Sequence, residues 1–221
     1  MNLSEISGPQ VHDLVRIDPG FLTPGYAAQP FWVRESLITH PWAVVRRAQA
    51  PVGQIAVGVR GMTRSERWGG LFSKSLISKI VQPRELLVLA QSPNRTPRTS
   101  VVRVLQQVIE RWRDLILPWG PTGSVGFELA SGRQVTTEAS DLDIVIRASQ
   151  RIAVEQARCL WDCVTGLQAK VDVLLETPVC GFSLEEYVCT TSGRILLRYP
   201  DGPTFGDDPW NERSGNEVTV S

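Results

Sequence analysis

Gly123-Ser124 is followed, after the sixteen residues Val125 to Ser140, by Asp141-Leu142-Asp143 and the apolar run Ile144-Val145-Ile146. A turn without bulky side chains lets backbone N–H groups close on phosphate oxygens. On an extended segment, residues two apart point to the same side, so Asp141 and Asp143 can present both carboxylates to one place. A hard divalent cation, Mg2+ first and Mn2+ as its substitute, bridges such carboxylates to phosphate. The pattern points to phosphoryl or nucleotidyl transfer.

Working outward, Lys170-Val171-Asp172-Val173-Leu174-Leu175 reads as a second apolar strand with one acid embedded in it. An acid in a buried strand is costly unless it is paired or coordinates a metal. If the two strands are neighbours, Asp141, Asp143 and Asp172 meet at one sheet edge and can hold metal there. Taken singly, Gly123-Ser124 also fits an ordinary turn and Asp141 ordinary strand-start polarity. The ordered combination favours chemistry.

The 221 residues are 42% hydrophobic and 21% charged, an ordinary globular balance that can bury a core without metal or disulfide staples. No apolar run is long enough to span a membrane. Met1-Asn2-Leu3-Ser4-Glu5 has neither the basic start nor the apolar stretch of a secretory leader, so a cytoplasmic protein is expected. Cys159, Cys163, Cys180 and Cys189 then read as reduced thiols serving as small core residues; the only histidines, His12 and His40, lie too far off in sequence to suggest a zinc site.

Charge is divided unevenly. Residues 1–103 carry 13 Lys/Arg against 6 Asp/Glu, a net +7, and residues 104–221 carry 10 against 17, a net −7. Either the basic half receives a polyanion or an acidic partner, or the halves neutralise each other across an interface. A neutral total without an aromatic–basic motif argues against nucleic acid.

Short runs at Phe31-Trp32-Val33, Trp42–Arg47 and Ile55–Gly61 read as strands, and Leu71–Val81 as a short amphipathic helix. Arg60, Arg64 and Arg67 follow the third of these runs, and guanidinium forks suit phosphate oxygens. A boundary falls near Gln82-Pro83, giving a smaller strand-rich basic domain at 1–82 and a second domain at 83–221. Val101, Leu105, Val108, Trp112 and Leu115 recur at helical spacing, with Thr99 or Ser100 as the cap. A strand near 118–122, a brief helix at 125–130, the Asp141–Arg147 strand, a helix near 150–165 and the 171–175 strand follow. A short helix around Leu184–Val188 and a strand at Ile195–Leu197 close the domain. This order predicts an α+β fold whose mixed sheet carries helices mainly on one face. The tail from Asp207 to Ser221 reads as polar and mobile.

The order Gly-Ser, Asp-x-Asp, later Asp resembles the polymerase-β type of nucleotidyltransferase, although the gap is longer here. The block Trp119-Gly120-Pro121-Thr122-Gly123-Ser124-Val125-Gly126-Phe127-Glu128-Leu129-Ala130-Ser131-Gly132, with Ala139-Ser140-Asp141-Leu142-Asp143, is similar to a narrower group. That group is the malonate decarboxylase holo-acyl-carrier-protein synthases, also called phosphoribosyl-dephospho-CoA transferases. His12-Asp13-Leu14-Val15, Val44-Val45-Arg46-Arg47, Val57-Gly58-Val59-Arg60-Gly61 and Val171–Pro178 extend the likeness from about Val11 to Pro203.

The resemblance implies a transferase whose donor is 2'-(5''-triphosphoribosyl)-3'-dephospho-CoA. The acceptor is a serine of the apo acyl-carrier subunit of malonate decarboxylase, and diphosphate is released. It places the catalytic acids on Asp141 and Asp143. Asp172 would complete the metal site or take the serine proton, Gly123 and Ser124 would grip the departing diphosphate, and Arg60, Arg64 and Arg67 would neutralise phosphate or meet the carrier. The alternatives are a nucleotidyltransferase using ATP or a related nucleotide, and a binding module without turnover.

Overall fold

The computed structural model describes residues 8–18, 29–63, 65–92 and 99–212. Its described residues form an α+β fold with two sheets. In the first sheet, β1 (Leu14–Ile17), β2 (Trp42–Val45), β3 (Gln54–Arg60), β4 (Arg67–Ser73) and β5 (Ile77–Val81) lie in the order β4-β3-β2-β1-β5, each pair antiparallel. Period-two alternation divides this sheet into two faces. Val15, Ile17, Ala43, Val45, Ile55, Val57 and Val59 bury one face against Val33 and Leu37 of helix α1 (Phe31–Thr39).

Two expectations fail here. Phe31-Trp32-Val33 is the first turn of α1, not a strand. Val33 and Leu37, four apart and both buried, supply the helical stripe, and Pro30 stands at the N-cap, where a missing N–H costs nothing. Leu71–Val81 is not a helix but the end of β4, a 3-10 turn at Lys74–Leu76 and β5. Ser73 Oγ accepts the Ser75 N–H and turns the chain, while Phe72 alone of its strand is fully buried. Mixed apolar and polar residues over eleven positions fit either period when the turn at Ser73 goes unrecognised.

In the second sheet, β6 (Trp119–Pro121), β7 (Leu142–Arg147), β8 (Val171–Glu176), β9 (Gly181–Ser183), β10 (Ile195–Tyr199) and β11 (Gly202–Gly206) lie in the order β11-β10-β9-β8-β7-β6. Only β7 and β8 run parallel, joined by a crossover through α5 (Val154–Asp162). Helices α2 (Pro83–Ala90), α3 (Ser100–Arg111), α4 (Gly123–Ser131) and α6 (Leu184–Cys189) complete the fold. Leu14 and Val81, register partners in the first sheet, join the larger core with Leu86, Val104, Leu105, Ile144 and Ile146. The two sheets therefore share apolar contact rather than hanging from a linker.

The long segment between the Gly-Ser turn and β7 is ordered by one acid. Glu128 Oε2 accepts the Val135 and Thr136 N–H groups at 3.0 and 2.9 Å and the Thr136 hydroxyl at 2.8 Å. Glu138 then accepts the Ser100 N–H at 3.2 Å, which takes over the capping of α3; Thr99 sits at the N-cap position without a side-chain cap bond. The stretch 207–212 is packed, contrary to the mobile tail expected. Trp210 lies edge-on to Phe182 and Tyr187, and its Nε1–H donates to the Ala148 carbonyl at 3.0 Å. Residues 213–221 lie outside the described residues.

Candidate active site

Asp143 and Asp172 are direct register partners on β7 and β8. Parallel neighbours in register stand about 4.8 Å apart and show their side chains on one face, so the two carboxylates share one location. Asp141 stands just before β7 and is exposed. Burial raises the Asp143 carboxyl above the usual carboxylate range, and the charges of Asp172 and then Asp141 raise it further. Both acids therefore lie within electrostatic reach of Asp143.

Helix α4 begins at Gly123 rather than after a separate turn. The Thr122 N–H donates to the Asp143 carbonyl at 2.8 Å, tying the helix start to β7. Gly123 has φ +55, and a Cβ there would collide with Asp143 Oδ2. Two independent constraints, a left-handed backbone and the pressed carboxylate, therefore demand glycine. Ser124, half-buried, is in the first turn beside it.

Asp172 is less buried than a strand acid was expected to be, with its side chain 42% exposed, and Lys170 Nζ pairs with it at 2.7 Å. That hydrogen bond raises the Lys170 ammonium above its ordinary value. Lys170 escaped sequence reasoning, although its place two residues before Asp172 puts both on one strand face.

The donor chemistry suits a divalent cation: hard oxygens, with like charges crowding Asp143. Among the described residues no group of three or more His, Cys, Asp or Glu side chains is placed to hold a metal ion, so Asp141 does not close a three-acid cage with Asp143 and Asp172. Mg2+ seldom uses such a cage; it takes one or two carboxylates and completes its shell with phosphate oxygens and water. The register pair fits that mode.

Arg60 and Arg67 are cross-strand partners at the end of β3 and β4, on the face turned away from α1. Arg67 favours the charged form of Asp143, so this face looks toward the acids. Arg64 lies outside the described residues. On the same face, Arg46 lies over Gly69, where any side chain would collide with its guanidinium.

At the other end of β7 and β8, two pairs along the same face, Arg147 and Glu176 are also in register, and their charges are opposite. Arg147 Nη2 reaches Asp13 Oδ1 at 2.6 Å; Glu176 is met by Arg47 and by His12 Nε2 at 2.9 Å. These bonds join the first sheet to the second. Burial, then the charges of Arg47 and Arg147, lower the His12 imidazole to about 4. A neutral ring is a sufficient donor, because Arg47 already balances Glu176. Sequence reasoning quoted His12-Asp13, Arg46-Arg47 and Glu176 but assigned them no role; each is a short fragment whose partner lies far along the chain.

Two family models cover almost the whole described chain. Residues 10–83 match the phosphoribosyl-dephospho-CoA transferase MdcG N-terminal domain and residues 88–209 the C-terminal domain. The chain belongs to the phosphoribosyl-dephospho-CoA transferase family. A phosphoribosyl-dephospho-CoA transferase of Pseudomonas putida is 37% identical over 205 residues, spanning 93% of this chain and 97% of that protein. Its namesake from Azotobacter vinelandii is 34% identical over 211 residues, spanning 92% and 95%. One from Pseudomonas fluorescens is 36% identical over 208 residues, spanning 93% and 97%. No solved structure matches the chain significantly. Among the described residues no helix is long and apolar enough to cross a membrane.

Proposed function

We propose that this transferase moves the phosphoribosyl-dephospho-CoA group from 2'-(5''-triphosphoribosyl)-3'-dephospho-CoA to a serine of the apo acyl-carrier subunit of malonate decarboxylase. The observation that carries the reading is the Asp143–Asp172 register pair with Asp143 pressed against Gly123, in a chain of this family. The second sheet with its helices is read as a nucleotidyltransferase unit of polymerase-β type at 83–221, and residues 1–82 as a smaller basic unit. Four free cysteines are in keeping with a cytoplasmic setting.

In the proposed reaction the serine Oγ attacks the α-phosphorus, a new P–O bond forms, and the bond to diphosphate breaks. Asp143, Asp172 and Asp141 would hold Mg2+, or Mn2+ in its place, which when bound supplies charge neutralisation at the phosphates. The serine proton passes to a carboxylate of this group. Gly123 brings the α4 N–H groups, with the Ser124 hydroxyl, close to the departing diphosphate. Arg67 acts on Asp143 from the first sheet and, with its cross-strand partner Arg60 and with Arg64, would offset phosphate charge.

Mass spectrometry of apo carrier subunit incubated with the precursor and Mg2+ tests this. A mass gain equal to the prosthetic group is expected. No gain there, with a gain from ATP, would assign a different nucleotidyl donor. Nucleotide or carrier binding that survives Asp141→Asn with Asp143→Asn, without any turnover, would assign a binding module.

A further inference from the structure

A cavity of about 1030 Å³ lies between the two sheets, beyond the carboxyl ends of β7 and β8. Its charged lining is Arg46, Arg47, Lys74, Arg84, Arg147 and one acid, Glu176. Glu176 is already neutralised by Arg47, and Arg147 by Asp13. Among the described residues no carboxylate pairs with Arg46, Lys74 or Arg84, so the cavity keeps three uncompensated cations. Pro51, Val52 and Pro178 give it an apolar wall as well. The volume is at the upper end of ordinary ligand pockets, enough for a large nucleotide.

Arg46 links the cavity to the strand that carries Arg67. It lines the cavity, yet its guanidinium lies over Gly69. Gly69 is two residues from Arg67 on the same strand face, and Arg67 acts on Asp143. Cations thus run from Lys74 and Arg84 through Arg46 to Arg67. Along β7, Asp143 and Arg147 are four residues apart, roughly 13 Å at strand rise. A ligand reaching both the acids and the cavity carries two separated anionic clusters, with an apolar arm at the far end.

The geometry points to the cavity as the seat of the dephospho-CoA portion of the donor, its diphosphate against Arg46, Lys74 and Arg84 and its pantetheine arm along the apolar wall. This rests on the reading above: the triphosphate occupies the acid end, and two linked riboses bridge the gap. The cavity therefore selects a CoA-type nucleotide, and the acids act on whatever triphosphate that anchor delivers.

Calorimetric titration of the full-length protein with dephospho-CoA, which lacks the triphosphoribosyl group, tests the assignment. Wild type and Asp143→Asn are expected to bind it alike, and Lys74→Gln with Arg84→Gln to bind at least about tenfold more weakly, with a steeper loss in wild type as salt is raised. Lys74→Arg with Arg84→Lys should restore binding, and unchanged thermal melting shows the variants folded. Equal binding by the double glutamine variant, or weakening by Asp143→Asn instead, overturns the proposal. So does transfer from the triphosphate precursor by a protein that the double variant leaves kinetically unchanged in KM; the functional reading would then survive alone. Dephospho-CoA binding that depends on Lys74 and Arg84, without transfer to any carrier, would keep the cavity assignment and end the functional one.

Discussion

The two ends of the β7–β8 pair carry the same register and opposite electrostatics. At one end Asp143 faces Asp172, two like charges whose proximity raises the Asp143 carboxyl. At the other, Arg147 faces Glu176, and every charge has a partner drawn from the first sheet. Like charges held together weaken a fold, and buried charges stay only when paired. The acid end, where Lys170 balances only Asp172, is the one proposed above to take metal-bound phosphate; the paired end ties the two sheets together beside the proposed nucleotide cavity.

The largest expected effect is the loss of transfer in Asp143→Asn, about 10³-fold or more in kcat, as for removal of a group acting in the transition state. Its stability should not fall. An acid whose folded value is raised destabilises the fold once pH exceeds its unfolded value, so at neutral pH the amide variant should melt at the same temperature or slightly higher. A lowered melting temperature would make Asp143 a structural residue.

Breaking the opposite end should have the reverse profile. Asp13 is 1% exposed and pairs with Arg147, so Asp13→Ala strands a guanidinium and should cost about 3 kcal/mol in urea unfolding. Activity per folded molecule should stay within a few-fold. Gly123→Ala should cost about 10²-fold in transfer, because the left-handed turn is strained and Asp143 must move from its place.

The smallest effect is a pH slope. His12 takes up its proton near 4 in the folded state and near 6.5 when unfolded. Between those values the unfolded chain binds more protons, so stability drops as pH falls from about 6.5 to 4 and this group adds no further loss below. The backbone at His12 has φ 70, which Asn tolerates well. His12→Asn should therefore fold and flatten the slope in denaturant titrations across that window.

Much of the acid end was legible in the sequence because its parts are local. Asp141 and Asp143 are two residues apart, Gly123-Ser124 opens a helix, and Asp172 sits in a strand whose apolar run is plain. Strand pairing then sets Asp143 beside Asp172 without long-range design, while Asp141 stays exposed just before β7. The paired end was not legible: His12, Arg47, Arg147 and Glu176 meet only after both sheets form, and no spacing rule joins position 12 to position 176. Lys170 hid in plain view, since a lysine before a strand ordinarily reads as a solvated flank. In the first sheet, Phe31–Val33 was too short to separate helix from strand by periodicity, and the deciding residue, Leu37, lay beyond the run. Leu71–Val81 failed because one serine turn reverses the period. The trailing Trp210 looked polar by its neighbours, yet one aromatic ring inserted beside Phe182 outweighs Asp207, Asp208, Asn211 and Glu212 around it.

The most direct test is single-turnover transfer to apo carrier subunit, measured per folded molecule for Asp143→Asn beside Glu176→Gln. The Asp143 variant should lose about 10³-fold or more and the Glu176 variant less than about tenfold. Comparable losses at both ends, or the greater loss at Glu176, would contradict the division of labour along β7 and β8.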